Sequence, residues 1–126
     1  MKLIHSHITQ KILRAYFNVY NNLGYGFLEK VYENAMMIEL KNLGLKVVQQ
    51  KPIKVSYQDR IIGEYFADLL IEDKVICELK SIAELGETHE TQLLNYLKAT
   101  DIEVGMLLNF GQKPEYVRKV YTKEYK

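Results

Sequence analysis

The chain is short of the features that would tie it to an oxidising compartment, a membrane or a polyanion by charge alone. It has one cysteine, Cys77, which excludes an internal disulfide and a multi-cysteine zinc site. Cys77 falls among Val75, Ile76 and Leu79, where it reads as a small buried hydrophobe rather than a nucleophile. No apolar run approaches the roughly 20 residues that span a bilayer. The start, Met1 to His7, lacks the long apolar stretch of a secretory signal. A reducing cytoplasm is the expected location. The formal net charge is only +1, which argues against a strongly cationic nucleic-acid coat. Local basic surface is still available: Lys46, Lys51 and Lys54 cluster on one segment, and Arg118, Lys119, Lys123 and Lys126 near the C-terminus. Each lysine alone reads as a solvated side chain, while each group is a candidate for phosphate contact. There is no low-complexity tract, evident linker or internal repeat, so one domain over residues 1–126 is expected.

The chain does contain a clear succession of helix and strand patterns. Ile8, Ile12, Ala15, Tyr16 and Val19 recur at helical spacing, which predicts a helix over about 6–21, ended by Asn21-Asn22 and Gly24-Tyr25-Gly26. Leu28, Val31, Tyr32, Ala35 and Ile38 predict a second helix from about 28 to 43, with Gly44 at its C′ position. A strand over 46–57, with a break at Pro52 left open, is followed by a turn at Gln58-Asp59-Arg60. Strands over 61–71 and 74–82 complete an antiparallel meander. After the loop 84–87, Thr88 reads as the N-cap of a third helix running to about Ala99. Val104 to Leu108 is a nearly continuous apolar run, as in a strand buried on both faces. Tyr116 to Tyr121 is a candidate edge strand. The order α-α-β-β-β-α-β, with that final strand, gives an α/β (α+β) mixed sheet whose third and fourth strands are parallel.

The chemistry concentrates in the second and third strands. Tyr65 to Ile71 and Val75 to Lys80 flank the short polar loop Glu72-Asp73-Lys74, as in a hairpin. With that loop, Asp68 faces Glu78 across the ladder and Lys80 shares the face of Glu78. Two opposed carboxylates repel, and partial burial raises the cost unless they are paired or hold a metal. Two readings stand. In one, a hard cation such as magnesium, which selects oxygen ligands and keeps several waters, resolves the conflict. In the other, Lys80 neutralises Glu78 and Asp68 lies at a solvated edge.

Two helices add candidates. In Gly26-Phe27-Leu28-Glu29-Lys30-Val31-Tyr32, Glu29 and Tyr32 share a helix face. Glu29 is either drawn towards the sheet or is an acid favoured by the helix dipole in the first turn. Tyr32 reads as core or supporting. In the third helix His89, Gln92 and Tyr96 project together beside the stripe of Leu93 and Leu97, either as a solvent-facing row or as part of a site. A solvated or structural role fits His89 better than metal ligation. Tyr20, Tyr25 and Tyr65 are candidates for stacking on bases, with packing the better role for at least two of them.

Taken in order, Gly26-x-x-Glu29-x-x-Tyr32, Asp68, Glu78-Leu79-Lys80 and Gln92-x-x-x-Tyr96 resemble the GxxExxY proteins of the PD-(D/E)XK nuclease superfamily. The resemblance runs from the first helix to Gly111, with a restriction-endonuclease-like core implied. It departs at one point, where Ala67 stands in place of the proline before the first acid. The resemblance implies that Asp68 and Glu78, with the Leu79 carbonyl, hold one or two magnesium or manganese ions, and that Glu29 is either a further ligand or an acid supporting the ligands. Lys80 would steady or activate water, Gln92 would orient the site, and Tyr96, Tyr32 and His89 would support it. The implied function is hydrolysis of phosphodiester bonds, in DNA by preference, with a homodimer as the expected assembly. The alternative is a catalytically silent nuclease-fold module that binds nucleic acid or a protein.

Overall fold

The computed structural model describes residues 4–125, with the Tyr125 side chain outside the description. Lys126 of the C-terminal basic group and Met1 to Leu3 therefore lie outside the described residues. Helices α1 (Ser6–Leu23) and α2 (Glu29–Asn42) precede strands β1 (Val47–Tyr57), β2 (Arg60–Ile71) and β3 (Val75–Lys80). Helix α3 (Glu87–Lys98), β4 (Val104–Phe110), β5 (Pro114–Val120) and a short 3-10 turn follow. The five strands pair in sequence order, β1-β2-β3-β4-β5. Every pairing is antiparallel except β3 with β4, which α3 connects. This is the mixed α/β architecture that the sequence pattern predicts.

Local chemistry explains most boundaries. Helix α2 ends in a Schellman arrangement: Gly44, at φ +81°, donates its N–H to Lys41 O, and Leu45 donates to Leu40 O. Only a residue without Cβ takes that backbone cheaply. The β1–β2 turn is two residues, Gln58 and Asp59, both at positive φ, so Arg60 is already strand and pairs with Tyr57. Pro52 does not break β1, because β1 is an edge strand and the missing N–H costs no ladder bond. Helix α3 starts earlier than Thr88: its N-cap is Gly86.

Two layers of helix cover the sheet. Helices α1 and α2 bury Ile12, Tyr16, Met36 and Leu40 against Leu69, Ile71, Cys77 and Leu79. Helix α3 buries Leu93, Tyr96 and Leu97 against Ile53, Ala67, Leu70, Ile76 and Leu107 on the other face. β4, covered on both sides, is buried at all seven positions. Gly105 lets α3 come down onto β4, since a Cβ there would meet Leu93 Cδ1 at 2.7 Å. That contact fixes the height of the α3 face carrying Gln92 and Tyr96. Cys77 is fully enclosed and its thiol is pushed well up by burial, as befits an inert packing residue.

The loop from Gly24 to Leu28 is pinned by one aromatic ring. Tyr32 is buried and stacks on Phe110 at 4.1 Å. Its hydroxyl donates to Gly24 O (2.7 Å) and accepts from the Phe27 N–H (3.2 Å). Tyr32 is thus a core residue that shapes the entry to α2. Tyr32→Phe is expected to keep the stack, lose both hydrogen bonds and cost about 1–2 kcal/mol. A fall of several degrees in the thermal midpoint would register it.

One irregularity in the hairpin positions everything that follows. Along β2, Ala67 packs on the α3 side while Leu69, two residues on, packs on the α1–α2 side. A regular strand would keep both on one face. β1 does the same, with Val47 towards α1–α2 and Ile53 towards α3. The switch falls at Gln50 and Asp68, between the register pairs Gln49–Leu69 and Lys51–Ala67. Gln50 has φ +51°, an uncommon and strained conformation for a residue with a side chain.

Candidate active site

β2 and β3 part next to this kink. Their backbone ladder runs from Ile71–Val75 to Leu69–Cys77 and stops. The next step would set Asp68 against Glu78, and there carboxylates replace carbonyls as acceptors. The Asp68 N–H donates to Glu78 Oε2 (2.7 Å), and the Leu79 N–H donates to Asp68 Oδ2 (2.8 Å). The two acids are therefore laced together across the gap. Glu78 is buried, with 6% of its surface exposed, and Asp68 is half-buried.

Such a pair is electrostatically unhappy when ionised. Burial, then repulsion from Asp68, pushes the Glu78 carboxyl up to about 8, against the opposing pull of the Asp68 N–H and of Lys80. Asp68 is also raised, first by burial and then by the charge of Glu33, and is partly held down by the Leu79 N–H, Gln50 and Lys80. Lys80 thus lies close enough to lower both carboxyls. Among the described residues, however, its ammonium makes no ion pair within 4 Å. The sequence reading in which Lys80 simply neutralises Glu78 is not the geometry found.

Glu33, a residue that the sequence reading does not single out, takes the buried place expected of Glu29. Glu29 is exposed at the first turn of α2 rather than drawn against the sheet, although its charge still reaches Glu78. Glu33, one turn further on, has 4% of its surface exposed. Its carboxylate accepts from Lys30 Nζ (2.8 Å), Gln49 Nε2 (2.7 Å) and Gln50 Nε2 (2.8 Å). Gln50 Nε2 also reaches Asp68 Oδ1 at 3.3 Å. The strained residue of β1 is therefore the bridge between the α2 acid and the hairpin acid. The signal for Glu33 was present: Glu29, Glu33, Met36 and Leu40 form one i, i+4, i+7, i+11 stripe, and its last two members are core.

Gln50→Gly should separate geometry from stability. Relief of the positive φ offsets the lost hydrogen bonds, each effect being about 1 kcal/mol. The expected result in a thermal melt is a midpoint within a few degrees of wild type, although Asp68 has lost its tether to Glu33.

Helix α3 closes the far side. Tyr96 is buried, and its hydroxyl is raised to about 12 by burial first and then by the charges of Glu78 and Asp68. Gln92 Nε2 donates to the Tyr96 hydroxyl (3.1 Å). His89 is engaged at the helix start, where its Nδ1 accepts the Gly86 N–H (3.1 Å). Beyond Tyr96 lies an open groove of ≈ 1010 Å³ between the β1–β2 hairpin and α3. Of the tyrosines considered for stacking, Tyr20 is spent on Phe110 and on the carbonyls of Gly111 and Gln112. Tyr65 is half-exposed in the groove wall.

The basic groups are divided. Lys46 pairs with Asp73 and Lys119 with Glu90, both at 2.8 Å, while Arg118 donates to Ile4 O. Lys51 and Lys54 remain exposed.

Among the described residues no three His, Cys, Asp or Glu side chains gather as a metal cage. The donor set at the parted strands still suits a hard cation. It offers two carboxylates, one buried and one half-buried, whose mutual repulsion would be relieved by positive charge. Magnesium needs only one or two carboxylates with waters completing its shell.

The sequence as a whole agrees with this geometry. The chain belongs to the PD-(D/E)XK nuclease superfamily, whose family model matches residues 6–120. Among solved structures it is similar in fold to the crystal structure of SSO0001, at a TM-score of 0.58 and 17% identity, over 75% of this chain and 50% of that one. This chain therefore spans about half the length of that protein. No curated protein matches it in sequence. No helix among the described residues is long and apolar enough to cross a membrane.

Proposed function

We propose that the chain is a magnesium- or manganese-dependent nuclease of the GxxExxY group that hydrolyses phosphodiester bonds, in DNA by preference. The observation that carries this reading is the laced acid pair, half-buried Asp68 and buried Glu78, beside an ammonium that makes no ion pair within 4 Å among the described residues. Asp68 and Glu78 would hold the ion, with the Leu79 carbonyl as a further oxygen donor; Glu29, exposed at the start of α2 but near enough for its charge to raise Glu78, would be either a further ligand or a supporting acid. When bound, such an ion lowers the pKa of water and polarises a phosphoryl oxygen.

The chain's own residues supply the rest. Lys80 places positive charge where negative charge develops on the attacking and phosphoryl oxygens. Glu33 and Gln50 fix the Asp68 carboxylate so that its reach is set before substrate arrives. Tyr96, steadied by Gln92, shields the acids from bulk water and strengthens every charge interaction at the site. With Glu78 raised to about 8, the acid pair is fully ionised only at alkaline pH or with a cation beside it. The pair's affinity for a divalent cation is therefore read as rising with pH through the neutral range.

The test is incubation of the purified chain with linear, nicked and branched DNA in magnesium or manganese. Wild type should cleave at least one of these, and Glu78→Ala none. Identical behaviour of the two under every condition defeats the enzymatic reading. A second reading, the silent binding module, has one observation in its favour. Each acid already serves the fold by accepting a backbone N–H across the parted strands. On that reading, DNA binds without cleavage and divalent cations leave the melting temperature unmoved.

A further inference from the structure

The groove beside the acids has a composition that the hydrolytic reading does not use. Its hairpin wall carries Lys54 and Tyr65, and its helical wall carries Gln92, Asn95, Tyr96 and Lys98. Tyr65 leaves 49% of its surface open. Its ring is held against that of Tyr96, with centroids 5.5 Å apart and planes at 42°. Tyr96 is in turn held by Gln92 and by burial. An aromatic face is thus fixed in place and left uncovered, in a groove whose wall residue Tyr96 lies close enough to the acid pair for the charges of Glu78 and Asp68 to raise its hydroxyl. Lys54 and Lys98 make no ion pair within 4 Å among the described residues. Lys98 lies 5.7 Å from the centre of the Tyr121 ring. The one carboxylate in the lining, Glu87, sits at the first turn of α3.

We propose that this groove takes an unpaired nucleotide of the substrate strand, with its base stacked on Tyr65, its edge met by the amides of Asn95 and Gln92, and its phosphates met by Lys54 and Lys98. The proposal rests on the nucleic-acid reading of the acid site and names its substrate class: strands with a single-stranded segment next to the scissile bond. The choice between single and double strands follows from the ring. In a duplex the base faces are covered by their neighbours, so a tyrosine face finds a partner only on an unstacked base. A preformed ledge also binds without the cost of ordering a mobile side chain. Two lysines suit a short run of phosphates, and the net charge of +1 suits a local rather than a global electrostatic grip.

The test uses the full chain in EDTA, so that nothing is cleaved, and the fluorescence anisotropy of a labelled oligothymidylate. Tyr65→Ala should weaken binding by about tenfold or more, the scale of one base–aromatic stack. Tyr65→Phe should bind as wild type, which separates stacking from misfolding. Lys98→Ala should weaken binding several-fold and flatten its salt dependence. A blunt duplex of equal length should bind more weakly and be indifferent to Tyr65. Failure of the wild type to bind the oligothymidylate, or equal binding by Tyr65→Ala, overturns the proposal. Cleavage of DNA by a chain whose strand binding ignores Tyr65 sinks the groove and leaves the nuclease standing. Tyr65-dependent binding by a chain that cleaves nothing does the reverse.

Discussion

Glu78→Gln is expected to lower phosphodiester hydrolysis by about 10³-fold or more, while raising the stability of the metal-free protein at neutral and alkaline pH. The two effects have one origin. Glutamine keeps the shape of the side chain and can still accept the Asp68 N–H that Glu78 Oε2 receives, so the parted strands stay laced. It cannot carry the charge that a divalent cation or a catalytic water needs. In the unfolded chain the Glu78 carboxyl titrates near its ordinary value of about 4.5, whereas in the fold it titrates near 8. Between those values the native state holds a proton that the unfolded state has released. Stability from this group is therefore full below about pH 4.5 and is lost as pH rises to 8, by an amount on the order of a few kcal/mol. Asp68 is raised as well, so its contribution has the same sign. Thermal melts in EDTA should show a midpoint falling from pH 5 to pH 8 in wild type and a much flatter profile in Glu78→Gln. Parallel profiles would mean that Glu78 is not the group whose burial sets the pH dependence of stability.

Lys80→Met should cost about 10²- to 10³-fold in turnover, the usual scale for removing one positioned stabiliser of developing charge. Its signature on stability is opposite in sign to that of Glu78→Gln. Lys80 lowers both acids of the pair. Without it, Glu78 and Asp68 are raised further, and the metal-free protein becomes less stable above neutral pH than wild type. Lys80→Arg should recover the stability before it recovers the rate, since a planar guanidinium restores charge without restoring the compact ammonium geometry. Initial rates at saturating substrate, taken with melts at pH 8, read both effects. A Lys80→Met enzyme within threefold of wild type would remove the lysine from the chemistry.

The architecture was legible because its signals are local. Apolar spacing marked α1 and α2, Gly44 marked the end of α2, and the unbroken run after Val104 marked a strand buried on both faces. The opposed acids were legible for a similar reason, because a short polar loop between apolar strands sets a register. What escaped was tertiary. Gln50 sits at a positive φ that glutamine does not favour, so no propensity argument points to a kink there. That kink turns Asp68 towards both layers and lets Glu33, on the α1–α2 side, be joined to it. Reading α2 from Leu28 drew attention to Glu29, which the first turn leaves in water. Extending the buried stripe back from Leu40 and Met36 leads to Glu33 instead. The start of α3 was misplaced at Thr88 because a glycine N-cap completed by a histidine three residues later is a rarer device than a threonine cap.

The central claim is that Asp68 and Glu78 form one cation-binding pair whose repulsion the ion relieves. The most direct measurement is the thermal midpoint at pH 8, with and without manganese, for wild type and Glu78→Gln. A ligand that binds only the folded state at about 100 times its dissociation constant stabilises it by about 2.7 kcal/mol, so the wild-type midpoint should rise by several degrees and that of Glu78→Gln should stay where it is. Equal shifts in both proteins, or none in wild type, would contradict the account.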